Sequence, residues 1–115
     1  MAVFSVSTYV VKPDKRKEHL AWGKTLVASM KENPELFEEV KSLKVLSQKD
    51  GNTKRYLAIW EFKNQADRKN WQKKLQKLKE GTDLTSDFTA LLEPGTFSSN
   101  VWKPVKSMRR VNSSK

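Results

Sequence analysis

The stretch that decides the fold is "YLAIWEFKNQADRKNW", residues 56–71. A strand pattern runs into a helix pattern with almost no loop between them. Alternation puts Tyr56, Ala58, Trp60 and Phe62 on one strand face and Leu57 and Ile59 on the other. A strand with one face in water alternates apolar with polar residues. This one is apolar on both faces, so both need cover. The helix half opens at Asn64, a residue type that accepts backbone N–H groups at helix starts. It carries Trp71, Leu75 and Leu78 on one face. Arg68, Lys69, Lys73, Lys74, Lys77 and Lys79 fall on its other faces, where the lysines make a solvated surface.

Working outward, "KDGN" joins this strand to "VKSLKVLSQ" (residues 40–48). It is a hairpin signal in which Asp50 and Gly51 suit positive φ. Residues 3–11, "VFSVSTYVV", alternate and are rich in β-branched residues, which predicts a first strand. "KPD" breaks it, and Asp14 is the expected N-cap of a helix over residues 15–31. Pro34 ends that helix or starts a new turn. Downstream, Gly81 is placed just past the second helix. "TDLTSDFTALLEPG" then holds a short helical turn closed by Pro94 and Gly95, and "TFSSNVWKPV" is the last strand. The order is βαββαβ, a ferredoxin-like α+β arrangement with an antiparallel sheet and both helices on one face. Residues 1–104 make one domain, and residues 105–115 are expected to be a basic flexible tail.

The second face of the third strand points to assembly. Burying each large apolar side chain contributes roughly 1.5–3 kcal/mol, so a bare row of them is costly. A second copy of the sheet across a two-fold axis would cover it, with Leu57 and Ile59 at a homodimer interface. The alternative cover is the C-terminal segment.

Composition narrows the chemistry. The 115 residues include no cysteine, which excludes disulfides and thiol catalysis and makes the cytoplasm the default location. The single histidine excludes a multi-histidine metal site. Phosphate-binding glycine loops and serine nucleophile elbows are absent, and no cofactor is expected. There is no signal-peptide pattern and no apolar run long enough to span a bilayer, so no membrane association is expected. The net charge of +10 makes polyanions candidate partners, but a solvated lysine-rich surface is the preferred explanation. RNA-recognition domains share the βαββαβ order. They stack bases on aromatics of the third strand, where "KRYLAIWEF" offers Leu57 and Ile59 and lacks the motif glycine. Nucleic acid is therefore the alternative partner, not the favoured one, and a structural or regulatory dimer without a ligand is the other alternative.

On the first helix, His19, Gly23, Leu26, Met30 and Val27 fall on one side, flanked by Trp22 and Leu20. His19 thus lies in an apolar stripe, as a candidate catalytic proton carrier or as a hydrogen-bonded core residue. Gly23 sits one turn on. Glycine there marks close packing or space made for something.

Trp60, Phe62, Ala66, Arg68 and Trp71 together resemble a pattern of the dimeric α/β-barrel superfamily, which includes antibiotic-biosynthesis-monooxygenase-like and NIPSNAP-like proteins. The resemblance implies a barrel of two back-to-back sheets with a pocket in each subunit between sheet and helices. A small apolar or aromatic ligand is expected in such a pocket, with Trp60, Tyr56, Phe62 and Gly23, by their strand and helix faces, lining it. Some members are cofactor-independent monooxygenases, and others degrade haem. The haem-degrading type uses an asparagine on the first strand, a tryptophan on the third and a histidine on the second helix. Only Trp60 has a counterpart here.

Overall fold

Strand-forming runs and helix-forming runs alternate along the chain, and a computed structural model, which describes residues 2–81 and 88–105, shows how they close on one another. Strand β1 spans Val3–Val10, helix α1 Arg16–Glu32, strands β2 and β3 Val40–Asp50 and Thr53–Phe62, helix α2 Gln65–Gly81, and strand β4 Ser98–Trp102. The sheet order is β2-β3-β1-β4, with every neighbouring pair antiparallel. This is the ferredoxin-like α+β fold that the sequence order predicts. Both helices lie on one face, where α1 contributes Trp22 and Leu26 and α2 contributes Trp71 and Leu75 to a common core. The tail from residue 106 onward, and residues 82–87 of the expected C-terminal turn, lie outside the described residues.

Local chemistry explains the element ends. Asn64 caps α2: its Oδ1 accepts the Asp67 backbone N–H at 2.8 Å. The β2–β3 hairpin turns on Gly51 and Asn52, between the paired residues Asp50 and Thr53. Gly51 has φ +62°, while no non-glycine residue described has a positive φ. Asp50 therefore stays extended, correcting its expected role. Glycine alone at the first central position fits a type II′ turn, whose twist suits a two-residue hairpin. Asp14 is also corrected as a helix cap. Pro13 starts a 3-10 turn, Pro13–Lys15, that runs straight into α1, and the N-cap position falls on Lys15 without a side-chain cap. A β-bulge between Val40 and Ser42 bends the start of β2.

Two apolar clusters fill the space between sheet and helices. One gathers Val3, Leu26, Phe37, Phe62 and Trp71. The other gathers Tyr9, Val11, Tyr56, Ala58 and Leu92. Leu43 and Trp60 pack against both. The segment after α2 is fastened to the end of β1: Lys12 donates to the Leu91 carbonyl and Glu93 to the Val10 carbonyl, both at 2.9 Å. The Val10 N–H donates in turn to Thr96 Oγ1 at 3.1 Å. This latch brings Phe88, Leu92 and Phe97 over the sheet, and β4 begins only at Ser98.

The buried stripe of α1 is narrower than its wheel predicts. His19 and Leu26 are buried, whereas Val27 is 48% exposed. Among the described residues no helix is long and apolar enough to cross a membrane.

Candidate functional site

Between the two core clusters the packing leaves a cavity of about 300 Å³. Its floor is the sheet: Ser5, Ser7 and Tyr9 of β1, Leu43 and Val45 of β2, Ala58 and Trp60 of β3, and Ser99 of β4. Strand alternation presents these residues on one face, and the registers Ser5↔Trp60 and Ser7↔Ala58 set them side by side. Small residues at the centre of β1 and β3 create the space, and aromatic rings on the helices and the latch line it opposite the sheet. Trp22 and Phe88 meet with ring centroids 4.5 Å apart, and Trp60 and Trp71 at 4.6 Å. The walls are thus mostly hydrocarbon, with three serine hydroxyls on the floor. Ser7 Oγ and Ser99 Oγ hydrogen-bond at 3.2 Å.

Of the side chains expected to line a pocket, Trp60 does so. Tyr56 and Phe62 share its strand face but pack in the flanking clusters; Phe62 is fully buried. Gly23 lies on α1 outside the lining set, and a Cβ built there would meet no atom within 4 Å. Space, rather than close packing, surrounds it. Leu57 and Ile59 lie on the opposite sheet face, as expected from alternation, opposite Thr8 and Val6 of β1.

His19 is 9% exposed and has a partner that the sequence does not name. Its Nε2 is 3.0 Å from the hydroxyl of Tyr9. The imidazole lies 4.4 Å from the Tyr56 ring, which stacks on Tyr9 at 5.5 Å. Burial, then the charge of Lys54, lowers the His19 pKa and favours the neutral ring. Burial, then Tyr56, pushes the Tyr9 phenol up to about 12. The pair is neutral at physiological pH. Tyr9 lines the cavity and His19 stands behind it. Any proton leaving the cavity towards His19 would therefore pass through Tyr9.

Arg68 corrects the reading of α2. It is 8% exposed and lines the cavity on the same helix face as Trp71, Gln72 and Leu75, instead of on another face. The signal was present in the sequence. Positions 68, 71, 72 and 75 follow the i, i+3, i+4, i+7 spacing of one helix face, but the charge of Arg68 outweighed its position. Lys74 is also no free surface lysine. It donates to Glu39 at 2.9 Å, to Glu38 at 3.3 Å and to the Glu35 carbonyl at 2.8 Å. Asn70 donates to the other Glu39 oxygen at 3.0 Å. Burial raises the Glu39 pKa, but these bonds and the Lys74 charge outweigh it and the net shift is downward. Among the described residues no group of three or more His, Asp or Glu side chains is placed to hold a metal ion.

Solved structures with this fold come from several bacteria. SnoaB, a cofactor-independent oxygenase from Streptomyces nogalater, is 14% identical, with 97% of this chain and 98% of that one covered and a TM-score of 0.64. A NIPSNAP-family protein of unknown function from Agrobacterium tumefaciens is 17% identical, with 90% and 87% covered and a TM-score of 0.62. A dimeric protein of unknown function and ferredoxin-like fold from Bacteroides fragilis is 13% identical, with 89% and 95% covered and a TM-score of 0.53. The resemblance to antibiotic-biosynthesis-monooxygenase-like and NIPSNAP-like proteins thus holds at the level of the fold. No curated protein matches this chain in sequence. The family model of a domain of unknown function, DUF4286, matches residues 1–88, more than three-quarters of the 115, and the chain belongs to that family.

Proposed function

We propose that this chain forms a homodimeric α/β barrel in which each protomer binds a small apolar or aromatic molecule between sheet and helices. The observation that carries the proposal is the cavity of about 300 Å³ walled by Trp22, Trp60, Trp71 and Phe88. Ligand sites are typically concave and mostly apolar, of roughly 300–1,000 Å³, with a few polar groups to set orientation. This cavity sits at the small end of that range, which suits a one- or two-ring molecule. Ser5, Ser7, Ser99 and Tyr9 supply the polar groups.

The far sheet face supports the assembly. Alternation and register gather Phe4, Val6, Leu46, Leu57, Ile59 and Trp102 there. Leu46 is 47% and Trp102 58% exposed. A two-fold partner would bury this patch against itself, which is the simplest cover for a self-complementary apolar face. The dimeric Bacteroides fragilis protein has the same fold.

The finer part of the proposal is turnover without a cofactor, as in the oxygenase SnoaB. In such chemistry the deprotonated substrate supplies electrons to dioxygen, while the protein positions it and takes a proton. Tyr9 and His19 are the groups placed to handle that proton.

Binding is tested by titrating the tryptophan fluorescence with 2-naphthamide. Saturable quenching at one probe per chain is expected, and Ser99→Phe, which fills the cavity from an edge strand, should abolish it. Non-saturating quenching, or full binding by Ser99→Phe, would contradict the proposal. Oxygen consumption with 1-naphthol tests turnover. Turnover left unchanged by His19→Ala would remove His19 from the mechanism.

A further inference from the structure

Two buried charges in this protein are treated differently. Glu39, 6% exposed, is held by Lys74 and Asn70 and leaves neither carboxylate oxygen without a partner. Arg68, 8% exposed, has no carboxylate partner among the described residues. Among the described residues its guanidinium makes one hydrogen bond, from Nε to Oε1 of Gln65 at 3.1 Å. It is also the sole charged side chain among the described residues lining the cavity. A buried charge without a counter-charge is strongly disfavoured, and buried charges are ordinarily paired. One turn along α2 stands the indole of Trp71, whose Nε1–H has no hydrogen-bond partner among the described residues and is closed off from the cavity. Trp71 is 6% exposed and lines the same cavity. The guanidinium without a counter-charge thus stands in a space otherwise walled by hydrocarbon, hydroxyl groups and the Gln72 amide.

We infer that the natural occupant of the cavity is an aromatic or apolar monocarboxylate whose carboxylate group is taken by Arg68. The inference rests on the cavity being a ligand site, as proposed above. With Nε engaged by Gln65, the two terminal nitrogens of the guanidinium remain as a planar fork. That fork matches the two oxygens of a carboxylate. One cation with no acid beside it calls for one negative charge, and the rings opposite call for an apolar body. In an apolar surround the pairing is stronger than it would be in water.

The test compares 2-naphthoate with its neutral isostere 2-naphthamide by titration calorimetry on the full chain at fixed ionic strength. The wild-type protein should prefer the acid by about ten- to hundredfold, the range expected when one hydrogen bond to a charged group is made in a buried site. Arg68→Met should erase that preference and leave the amide affinity largely unchanged. Arg68→Lys, which keeps the charge and loses the fork, should fall between. Equal wild-type affinity for acid and amide would overturn the role of Arg68 without the need of any variant, and would leave the cavity as a ligand site. Equal weakening of both probes by Arg68→Met would do the same. Failure of the wild-type protein to bind either probe would overturn the ligand site and this inference together.

Discussion

Substitution of Ile59 by glutamate separates the assembly from the fold. Ile59 lies on the sheet face away from the helices, opposite Val6 on β1 and Lys44 on β2. In a single protomer a glutamate there would face Lys44, and a cross-strand pair of opposite charge contributes roughly 0.2–1 kcal/mol. The protomer should therefore fold. In a two-fold dimer the loss is counted twice. A large apolar side chain contributes roughly 1.5–3 kcal/mol when fully buried, so two copies lose about 3–6 kcal/mol. Ile59 is already half-buried within the protomer, so the lower end applies. At about 1.4 kcal/mol per tenfold, the dimer should weaken by about two orders of magnitude, before any cost of burying the carboxylate. Sedimentation equilibrium reads this directly. The wild-type protein should sediment at twice 13.3 kDa and Ile59→Glu at 13.3 kDa, with unchanged circular dichroism. A wild-type monomer, or a variant dimer of undiminished affinity, would refute the reasoning.

Three further outcomes are expected. Gly23→Ala should raise stability by about 0.5–1 kcal/mol in urea unfolding, because glycine is disfavoured in a helix interior and the new methyl group meets no neighbour. His19 has a folded pKa below its ordinary 6.5, so the unfolded chain takes up its proton first and stability should fall as pH drops below 6.5 towards the folded pKa. In thermal melts His19→Gln should flatten that segment of the profile; an unchanged slope would show that His19 is not the titrating group. Glu39, whose pKa is also lowered, should add a separate loss beginning below its ordinary 4.5, absent in Glu39→Gln.

The fold was legible because its signals are local. The alternation of residues 56–62, the glycine of the hairpin and the Asn64 cap each act within a few residues, and each appears where the sequence places it. The site was legible only in part. Trp60 stands out because an aromatic on a two-sided strand must face something. Tyr9 does not, because its partner His19 is brought to it by the crossing of α1 over β1, a tertiary relation that leaves no mark in spacing. Arg68 shares the helix face of Trp71 and Leu75 by its spacing, but its charge sets it with the lysines of the other faces in a reading of the sequence. Asp14 failed as a cap because Pro13 starts a 3-10 turn that takes in Asp14, so the cap position falls on Lys15 and α1 starts at Arg16. The pairing of Lys74 with Glu39 depends on the turn at residues 34–39 folding back on α2. Contacts between elements distant in sequence decide these positions, and composition does not encode them.

The most direct test of the account is to locate a ligand. Crystals of the protein soaked with 6-bromo-2-naphthoate would show the bromine by anomalous diffraction. The account predicts one bromine site per protomer, among the rings of Trp22, Trp60, Trp71 and Phe88, with the carboxylate against Arg68. A cavity without bromine signal, with the probe bound only elsewhere on the protein, would contradict it.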